Sequence, residues 1–293
     1  MTVLLAVVTV AALGIWIPLA QLLPGTPERS RIVYVAIGNV VFVALALLVS
    51  GAHLGLSWRG FWLPLIGGVV WAGGNYCVLK ASQTIGLARA AGTWTPLNIV
   101  VAFAWGALLF GELDGFSAAR FAILGVAFAV VVAGVLLIAG SQGGATAGSR
   151  SSPRAGLLWA IGAGVLWGSY FVPAQWAAVP AQVSDFPLAL GILGAALALA
   201  LPAGEPIKLS VRATSALLGA GVLFGIGNLA LLGLVARVGT GTGFTIAQLS
   251  LVVNASVGVW IFRVPEPGTR QAHKVLAGIV LAGLGGCAIA ALR

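Results

Sequence analysis

Charged residues are scarce in this sequence. Only 7% of the 293 residues are Asp, Glu, Lys or Arg, whereas a typical soluble domain carries roughly 25%. Hydrophobic residues make up 60% of the chain, and they form runs that match the roughly 20 residues a helix needs to cross a bilayer. The composition therefore excludes an ordinary soluble enzyme and predicts an all-α polytopic membrane protein.

Cysteine and histidine are also rare, with two residues of each. Cys77 and Cys287 both lie inside apolar segments, so neither a disulfide framework nor a metal site is predicted. The sequence contains no Walker pattern, no GxSxG and no paired carboxylates, which removes the support for nucleotide-driven pumping or hydrolysis. We therefore expect no enzymatic activity, no cofactor and no bound metal.

The ten apolar runs predict ten transmembrane helices. Their ranges are 2–20, 32–50, 61–80, 91–111, 119–139, 156–176, 186–203, 213–234, 242–262 and 274–292. Residues 141–155 are rich in Gly, Ser and Ala and are typical of a flexible linker. This linker separates a first five-helix repeat, residues 1–140, from a second, residues 156–293.

The two halves share short motifs at a constant offset of 153 residues. The pairs are Trp71–Asn75 with Phe224–Asn228, Ile85-Gly86 with Val238-Gly239, and Leu124-Gly125 with Ala277-Gly278. Because each repeat has an odd number of spans, the halves insert in opposite orientations. Inverted repeats are typical of secondary transporters, whose substrates bind near the bilayer midplane at the repeat interface.

The Lys and Arg residues predict the orientation in the membrane. The net charge of +9 is scattered among the loops, so a nucleic-acid partner is not expected. Loops on one side hold Arg29, Arg31, Lys80, Arg89, Arg150, Arg154, Lys208, Arg212, Arg263, Arg270 and Lys274, and the other side holds Arg59, Arg120, Arg237 and Arg293. The positive-inside rule then puts the linker in the cytoplasm and both termini outside a cell membrane. The lipid bilayer is one predicted partner, and a homodimer is left open.

Several motifs resemble those of the glucose/ribose porter family, within the drug/metabolite transporter superfamily. They are Trp71–Asn75, Thr84–Leu87, Trp94, Asn98, Gly111-Glu112, Gly168–Pro173, Gly243-Phe244 and Gln248–Ser250. The resemblance implies ten helices in two inverted five-helix repeats. It also implies carbohydrate uptake, which is proton coupled in several members of that family.

Uncharged polar and aromatic residues at midspan are the candidate substrate-binding residues. They are Trp16, Asn75, Trp94, Thr95, Asn98, Trp167, Tyr170, Asn228, Gln248 and Asn254. Amide and hydroxyl groups offer donors and acceptors for sugar hydroxyls, and a Trp face can stack on the C–H groups of a sugar ring. The alternative is that the amides act only as hydrogen bonds between helices, and for Asn75 and Asn228 the sequence favours neither.

Carboxylates are expected to be absent from the transport path. All six acidic residues map to loops or helix ends, and the first helix has no charge, so a neutral substrate fits better than a lipophilic cation. Glu112 at the end of helix four is the remaining candidate for energy coupling, against the alternative of a solvated carboxylate at a helix end. We therefore expect facilitation without proton coupling.

The sequence thus predicts a secondary transporter or facilitator that moves a small, polar, neutral metabolite by alternating access. A sugar is the favoured substrate. The alternative within transport is export of amino acids or other metabolites, and the alternative of another class is a membrane scaffold that transports nothing.

Overall fold

The computed structural model describes residues 1–21, 23, 26–54, 57–85, 87–141, 153–203, 209–261, 263 and 266–292, which form helices joined by turns and loops, with no strand among them. The α-helices are α1 (Thr2–Gln21), α2 (Glu28–Ser50), α3 (Leu63–Ile85), α4 (Leu87–Leu109), α5 (Ala118–Ser141), α6 (Pro153–Trp167), α7 (Val172–Ala177), α8 (Ala181–Ala200), α9 (Val211–Val238), α10 (Thr240–Gln248), α11 (Ser250–Trp260) and α12 (Arg270–Ala291). A π-helical turn, Trp58–Trp62, precedes α3, and a 3₁₀ turn, Leu201–Ala203, follows α8.

Each of the ten predicted apolar runs is helical, and seven segments of the described chain are long and apolar enough to cross a membrane. The fourth run contributes a shorter apolar segment, Thr93–Leu109. The sixth run is divided between α6 and α7, and the ninth between α10 and α11. The sequence pattern predicted these two runs as continuous helices, and that prediction is wrong.

Large apolar side chains cover much of the outer surface. Leu48, Val49, Leu108 and Val126 are each exposed over more than 60% of their surface. Exposed apolar area on this scale is costly in water, whereas lipid tails are as apolar as these side chains. The surface therefore agrees with an integral, multi-pass membrane protein.

The chain forms two compact units, and each unit takes segments from both halves of the sequence. Unit 1 contains residues 1–73 and 170–237, and unit 2 contains residues 74–169 and 238–293. The chain passes from one unit to the other three times: inside α3, after Gly73; in the interruption between α6 and α7, after Ser169; and at the end of α9, after Arg237. The linker residues 142–152 lie outside the described residues.

In unit 1, glycines allow close contact between helices. Gly38 of α2 lies against the backbone of Leu218 in α9, and Gly68 of α3 lies against the backbone of Leu188 in α8. A side chain at either glycine would overlap a neighbouring backbone atom. Small residues thus bring the helix backbones together where no hydrophobic force acts between helices in lipid.

Unit 2 is built around the packing of α5 on α12 and of α4 on α6 and α10. Gly134 of α5 faces Gly278 and Ala282 of α12, where an added Cβ would come within 2.6 Å of backbone atoms. The buried core between these helices includes Val131, with an exposed fraction of 1%. Gly278 and Ala282 belong to a small-xxx-small pattern on α12, which is typical of such helix pairs.

Candidate functional site

The sixth apolar run is interrupted in its C-terminal half. Helix α6 ends at Trp167, residues 168–171 form a turn, and α7 begins at Val172. Pro173, at the start of α7, lacks a backbone N–H, and its ring would clash with the carbonyl of the residue four positions earlier in a continuous helix. Pro18 and Pro173 lie at matching places in the first and sixth predicted spans, where a proline is expected to kink the helix. Pro18 lies inside the continuous helix α1, whereas at Pro173 the helix is broken.

The ninth run is interrupted at Leu249, between the last residue of α10 and the first of α11. The N–H of Leu249 donates to the carbonyl oxygen of Ile246 at 3.0 Å, which is the tighter spacing of a 3₁₀ turn. The 153-residue offset pairs Leu249 with Pro96, which lies inside α4. The two halves therefore place a proline and a helix interruption at equivalent positions.

Unit 2 brings together three of the predicted site residues beside the interruption after α6. The rings of Trp94 and Trp167 lie 6.1 Å apart, centroid to centroid, in an edge-to-face arrangement. Gly168 lies against the backbone oxygen of Asn98. The two rings are therefore in contact, and the backbone of Asn98 lies beside the turn that follows Trp167.

Asn98 is 3% exposed, and its Oδ1 atom is buried without a hydrogen-bond partner in the described part of the chain. About two turns further along α4, Trp105 donates its indole N–H to the hydroxyl of Ser169 at 2.8 Å. Thr95 is 2% exposed. This region offers an indole pair and an amide oxygen to a ligand, without any charge.

Unit 1 contains a chain of hydrogen bonds that the sequence analysis missed. The Tyr170 hydroxyl donates to Oδ1 of Asn228 at 3.0 Å, and Nδ2 of Asn228 donates to Oδ1 of Asp185 at 2.6 Å. Asp185 and Asn228 are both fully buried. Asn228 was predicted to face either substrate or a neighbouring helix. Here, from α9, it links Asp185 of α8 to Tyr170 in the turn before α7.

The expectation that the acidic residues lie only in loops or at helix ends is wrong for Asp185. The predicted helix began at residue 186, but α8 begins at Ala181 directly after Pro180. Proline before a helix is a known start signal, and it would have placed Asp185 inside the span. The expectation of facilitation rested on the absence of such a carboxylate, so this basis for it is lost.

Three aromatic rings lie on the same side of α9 as this polar chain. Phe224 is one turn before Asn228, and its ring lies 4.9 Å from that of Trp71 and 5.2 Å from that of Trp16. Trp16 was a predicted site residue. Trp71 and Phe224 belong to the repeated motif, and Trp71 also belongs to the motifs that resemble the glucose/ribose porter family.

The remaining predicted residues are not brought into these groups. Asn75, Gln248 and Asn254 are each half-buried, and among the described residues no side-chain hydrogen bond joins them to either group. In the described ranges, no cluster of three or more His, Cys, Asp or Glu side chains has a geometry suited to a metal ion.

Glu112 lies in unit 2, in the turn after α4, and its carboxylate contacts the beginning of α10. It accepts hydrogen bonds from the backbone N–H groups of Thr240 and Gly241. The first N–H groups of a helix have no acceptors within the helix. The Glu112 carboxylate supplies acceptor oxygens for two of them from another part of the chain. This contact is more specific than the solvated helix-end carboxylate that was the alternative.

Comparison with known proteins identifies a family and several relatives that match this chain along most of its length. The family described as sugar transport protein matches residues 4–292. A glucose uptake protein of Bacillus subtilis is 24% identical, with 77% of both chains covered, and one of Staphylococcus xylosus is 28% identical, with 85% of this chain and 80% of the relative covered. A protein of Listeria innocua whose name describes sugar uptake is 23% identical, with 90% of both chains covered.

A solved crystal structure superposes with a TM-score of 0.71, at 22% identity and with 99% of both chains covered, which shows a shared fold. The family match covers nearly the whole chain, and the apolar helices agree with it. The chain therefore belongs to the sugar transport protein family and is a membrane-embedded sugar transporter.

Proposed function

We propose that this transporter takes up a free, neutral sugar by alternating access between two inverted five-helix repeats. The observation that carries the proposal is the interruption of two membrane segments beside predicted site residues: Tyr170 lies in one interruption, and Gln248 directly precedes the other. Broken membrane helices are a recurrent feature of transporter substrate sites, because the interruption frees backbone groups and allows the two parts of the span to move.

The chemistry of the side chains supports a sugar as the substrate. Trp94 and Trp167 present indole rings, and Asn98 presents an amide oxygen that no described group satisfies. Such groups suit a ligand with apolar C–H faces and many hydroxyls. The relatives' names describe uptake of glucose, ribose or sugar without further detail, so D-glucose and D-ribose are the first substrates to test.

We propose the remaining predicted residues as further contacts or gates along the same path. Thr95 and Gln248 are equivalent by the repeat offset, as are Asn75 and Asn228. In this proposal residues 1–140 and 156–293 are the two repeats, joined by the linker 141–155. The bias of Lys and Arg places that linker in the cytoplasm and both termini outside.

Counterflow in liposomes tests this function. Liposomes that contain the purified protein are preloaded with unlabelled D-glucose or D-ribose and diluted into the labelled sugar. We expect transient accumulation of label that protein-free liposomes do not show. Counterflow of amino acids with none of either sugar would favour an exporter of amino acids, and a folded protein that moves neither class would favour a scaffold.

A panel of thermal unfolding measurements complements the assay, because a ligand that binds only the folded state raises its stability by mass action. The panel consists of sugars, amino acids and quaternary amines. We expect sugars alone to raise the unfolding temperature. Stabilisation by amines and not by sugars would contradict the proposal.

A further inference from the structure

Asp185 is a buried carboxyl group inside a membrane helix, and one of its two oxygens has no hydrogen-bond partner among the described residues. Its exposed fraction is 0%, and its Oδ1 atom accepts the hydrogen bond from Asn228. Its Oδ2 atom is buried and has no hydrogen-bond partner in the described part of the chain. Buried polar atoms in folded proteins are nearly always hydrogen bonded, so the free oxygen indicates a missing partner.

Two neighbouring side chains form a chain of hydrogen bonds that ends at this carboxyl group. Tyr170 donates to Asn228, and Asn228 donates to Asp185. Among the described residues, no Lys or Arg forms an ion pair with Asp185, and the hydrogen bond that it receives comes from the neutral amide of Asn228. A neutral sugar, the ligand of the proposed function, can supply the missing hydrogen bond through a hydroxyl group.

A second buried amide lies beside α9, one turn before Asn228. Asn39 of α2 is fully buried, and neither of its amide atoms has a hydrogen-bond partner among the described residues. It lies against Gly225 of α9, and Gly225 is three residues before Asn228, on the same face of that helix. Unit 1 thus offers an unsatisfied acceptor and an unsatisfied amide along one stretch of α9.

The aromatic cluster of Trp16, Trp71 and Phe224 continues this stretch by one turn. Phe224 and Asn228 are four residues apart, so their side chains share a face of α9. Ring faces beside unsatisfied polar groups match a molecule with C–H faces and hydroxyl edges. A phosphorylated sugar does not suit the site, because its phosphate would lie beside a carboxyl group that has no described cation.

We propose that Asp185, held by Asn228 and Tyr170, is a sugar-hydroxyl subsite in which Oδ2 accepts a hydrogen bond from a hydroxyl of a free monosaccharide. Asn39 is the second polar group of this subsite, and the aromatic cluster lines its apolar side. The inference rests on the proposed function, and it adds a specificity-determining carboxyl group that sequence analysis did not identify.

The Asp185→Asn variant is the sharpest test, because it keeps one acceptor oxygen for Asn228 and replaces the unsatisfied oxygen by an amide NH₂. We expect D-glucose and D-ribose to bind the purified variant about 10- to 100-fold more weakly, as is typical when a hydrogen bond to a carboxyl group is lost. The unfolding temperature without sugar should stay close to that of the wild type. The matched control is Asp114→Asn, at an exposed carboxylate in a turn, which should change neither quantity.

Monodeoxy sugars identify the hydroxyl. The wild type should bind one deoxy analogue as weakly as the Asp185→Asn variant binds the parent sugar. The variant should bind that analogue and the parent sugar with nearly the same affinity, because it has already lost the hydrogen bond. If the variant binds every parent sugar as tightly as the wild type does, Asp185 is only a tie between helices and the inference is wrong. Absence of sugar counterflow in the wild type would instead contradict the proposed function.

A measurement on the wild-type protein covers the case in which the variant does not fold. A hydrophobic carbodiimide modifies carboxyl groups in apolar surroundings, and mass spectrometry locates the modified residue. We expect Asp185 to be labelled in liposomes and D-glucose to protect it, with Asp114 unaffected by the sugar. Labelling that D-glucose does not change, or no labelling of Asp185 in any condition, would overturn the inference.

Discussion

The carboxylate of Glu112 accepts the backbone N–H of Gly241 at 3.0 Å and also that of Thr240, so a residue that follows α4 caps the beginning of α10. Gly239 occupies the N-cap position with φ of 83°. Because glycine has no side chain, it cannot supply the oxygen that Ser, Thr, Asp or Asn supplies at most N-caps. Glu112 replaces it from 128 residues away in the sequence.

Glu112→Ala should therefore lower the stability of the protein. Loss of an N-cap acceptor together with its favourable charge at a helix N-terminus costs about 1–2 kcal/mol, which corresponds to a fall in the unfolding temperature of about 2–8 °C. Glu112→Gln keeps an acceptor oxygen and should lose less. Thermal unfolding of the purified variants measures both, and equal stability of all three proteins would show that the contact contributes nothing.

The Glu112→Gln variant also tests whether Glu112 couples transport to protons. Since its carboxylate is held by backbone groups, we expect Glu112→Gln to retain both counterflow and any accumulation that a pH gradient drives. Accumulation that is lost while counterflow persists would make Glu112 the coupling residue. Liposomes with an imposed pH gradient, with and without a proton ionophore, separate the two results.

Close packing between α5 and α12 predicts a position-specific glycine effect. A Cβ at Gly134 would come within 2.6 Å of two backbone atoms of α12, whereas a Cβ at Gly125 on the same helix meets nothing within 4 Å. Gly134→Ala should destabilise the protein by about 1–3 kcal/mol. Gly125→Ala is the matched control and should be neutral or slightly stabilising, since Ala favours a helix over Gly. A similar loss of stability in both variants would contradict the close approach.

The apolar runs were sufficient to locate the helices, because a run of about 20 apolar residues is a strong and local signal. The interruptions within two of the helices were harder to predict from the sequence. Pro173 indicates a distortion of the sixth span, but whether the helix kinks or breaks there depends on the neighbours that satisfy the freed backbone groups. No proline marks Leu249, and its equivalent Pro96 lies in an unbroken helix.

The site was only partly predictable, for the same reason. Trp94 and Asn98 share a face because they are four residues apart, which the sequence shows directly. The contact of Asn228 with Asp185 joins residues that are 43 positions apart, and no periodicity encodes such a pair. Asp185 was also hidden by an error of five residues in the start of its helix, which placed a buried carboxyl group in a loop.

Tyr170→Phe tests the polar chain of unit 1 by removal of a single oxygen. The variant leaves Oδ1 of Asn228 without its donor inside a fully buried environment, which costs about 1–3 kcal/mol. We expect a lower unfolding temperature, and a further fall in the Asp185→Asn, Tyr170→Phe double variant that differs from the sum of the single effects, because the groups form one network. Additive effects would show that the two hydrogen bonds act independently.

Gln248 should show the opposite behaviour, with a defect in transport and none in stability. It is half-buried at the end of α10, beside the interruption at Leu249. Since its removal leaves no buried partner unsatisfied, Gln248→Ala should keep the wild-type unfolding temperature and reduce sugar counterflow about 10-fold or more. Asn98→Ala and Asn254→Ala should behave in the same way. Loss of folding in all three variants, without a specific transport defect, would assign these residues to helix packing.

The orientation in the membrane is the last prediction, and it depends on the bias of Lys and Arg alone. In a variant without Cys77 and Cys287, a single cysteine at Thr26 or at Ser149 should react with a membrane-impermeant maleimide only from the cytoplasmic side. Thr26 is a described residue between α1 and α2, and Ser149 lies in the linker, outside the described residues. An odd number of spans per repeat puts both positions on one side, so agreement between them tests the count of spans as well as the direction. Reaction of both from outside would reverse the orientation, and reaction from opposite sides would contradict the five-helix repeat itself.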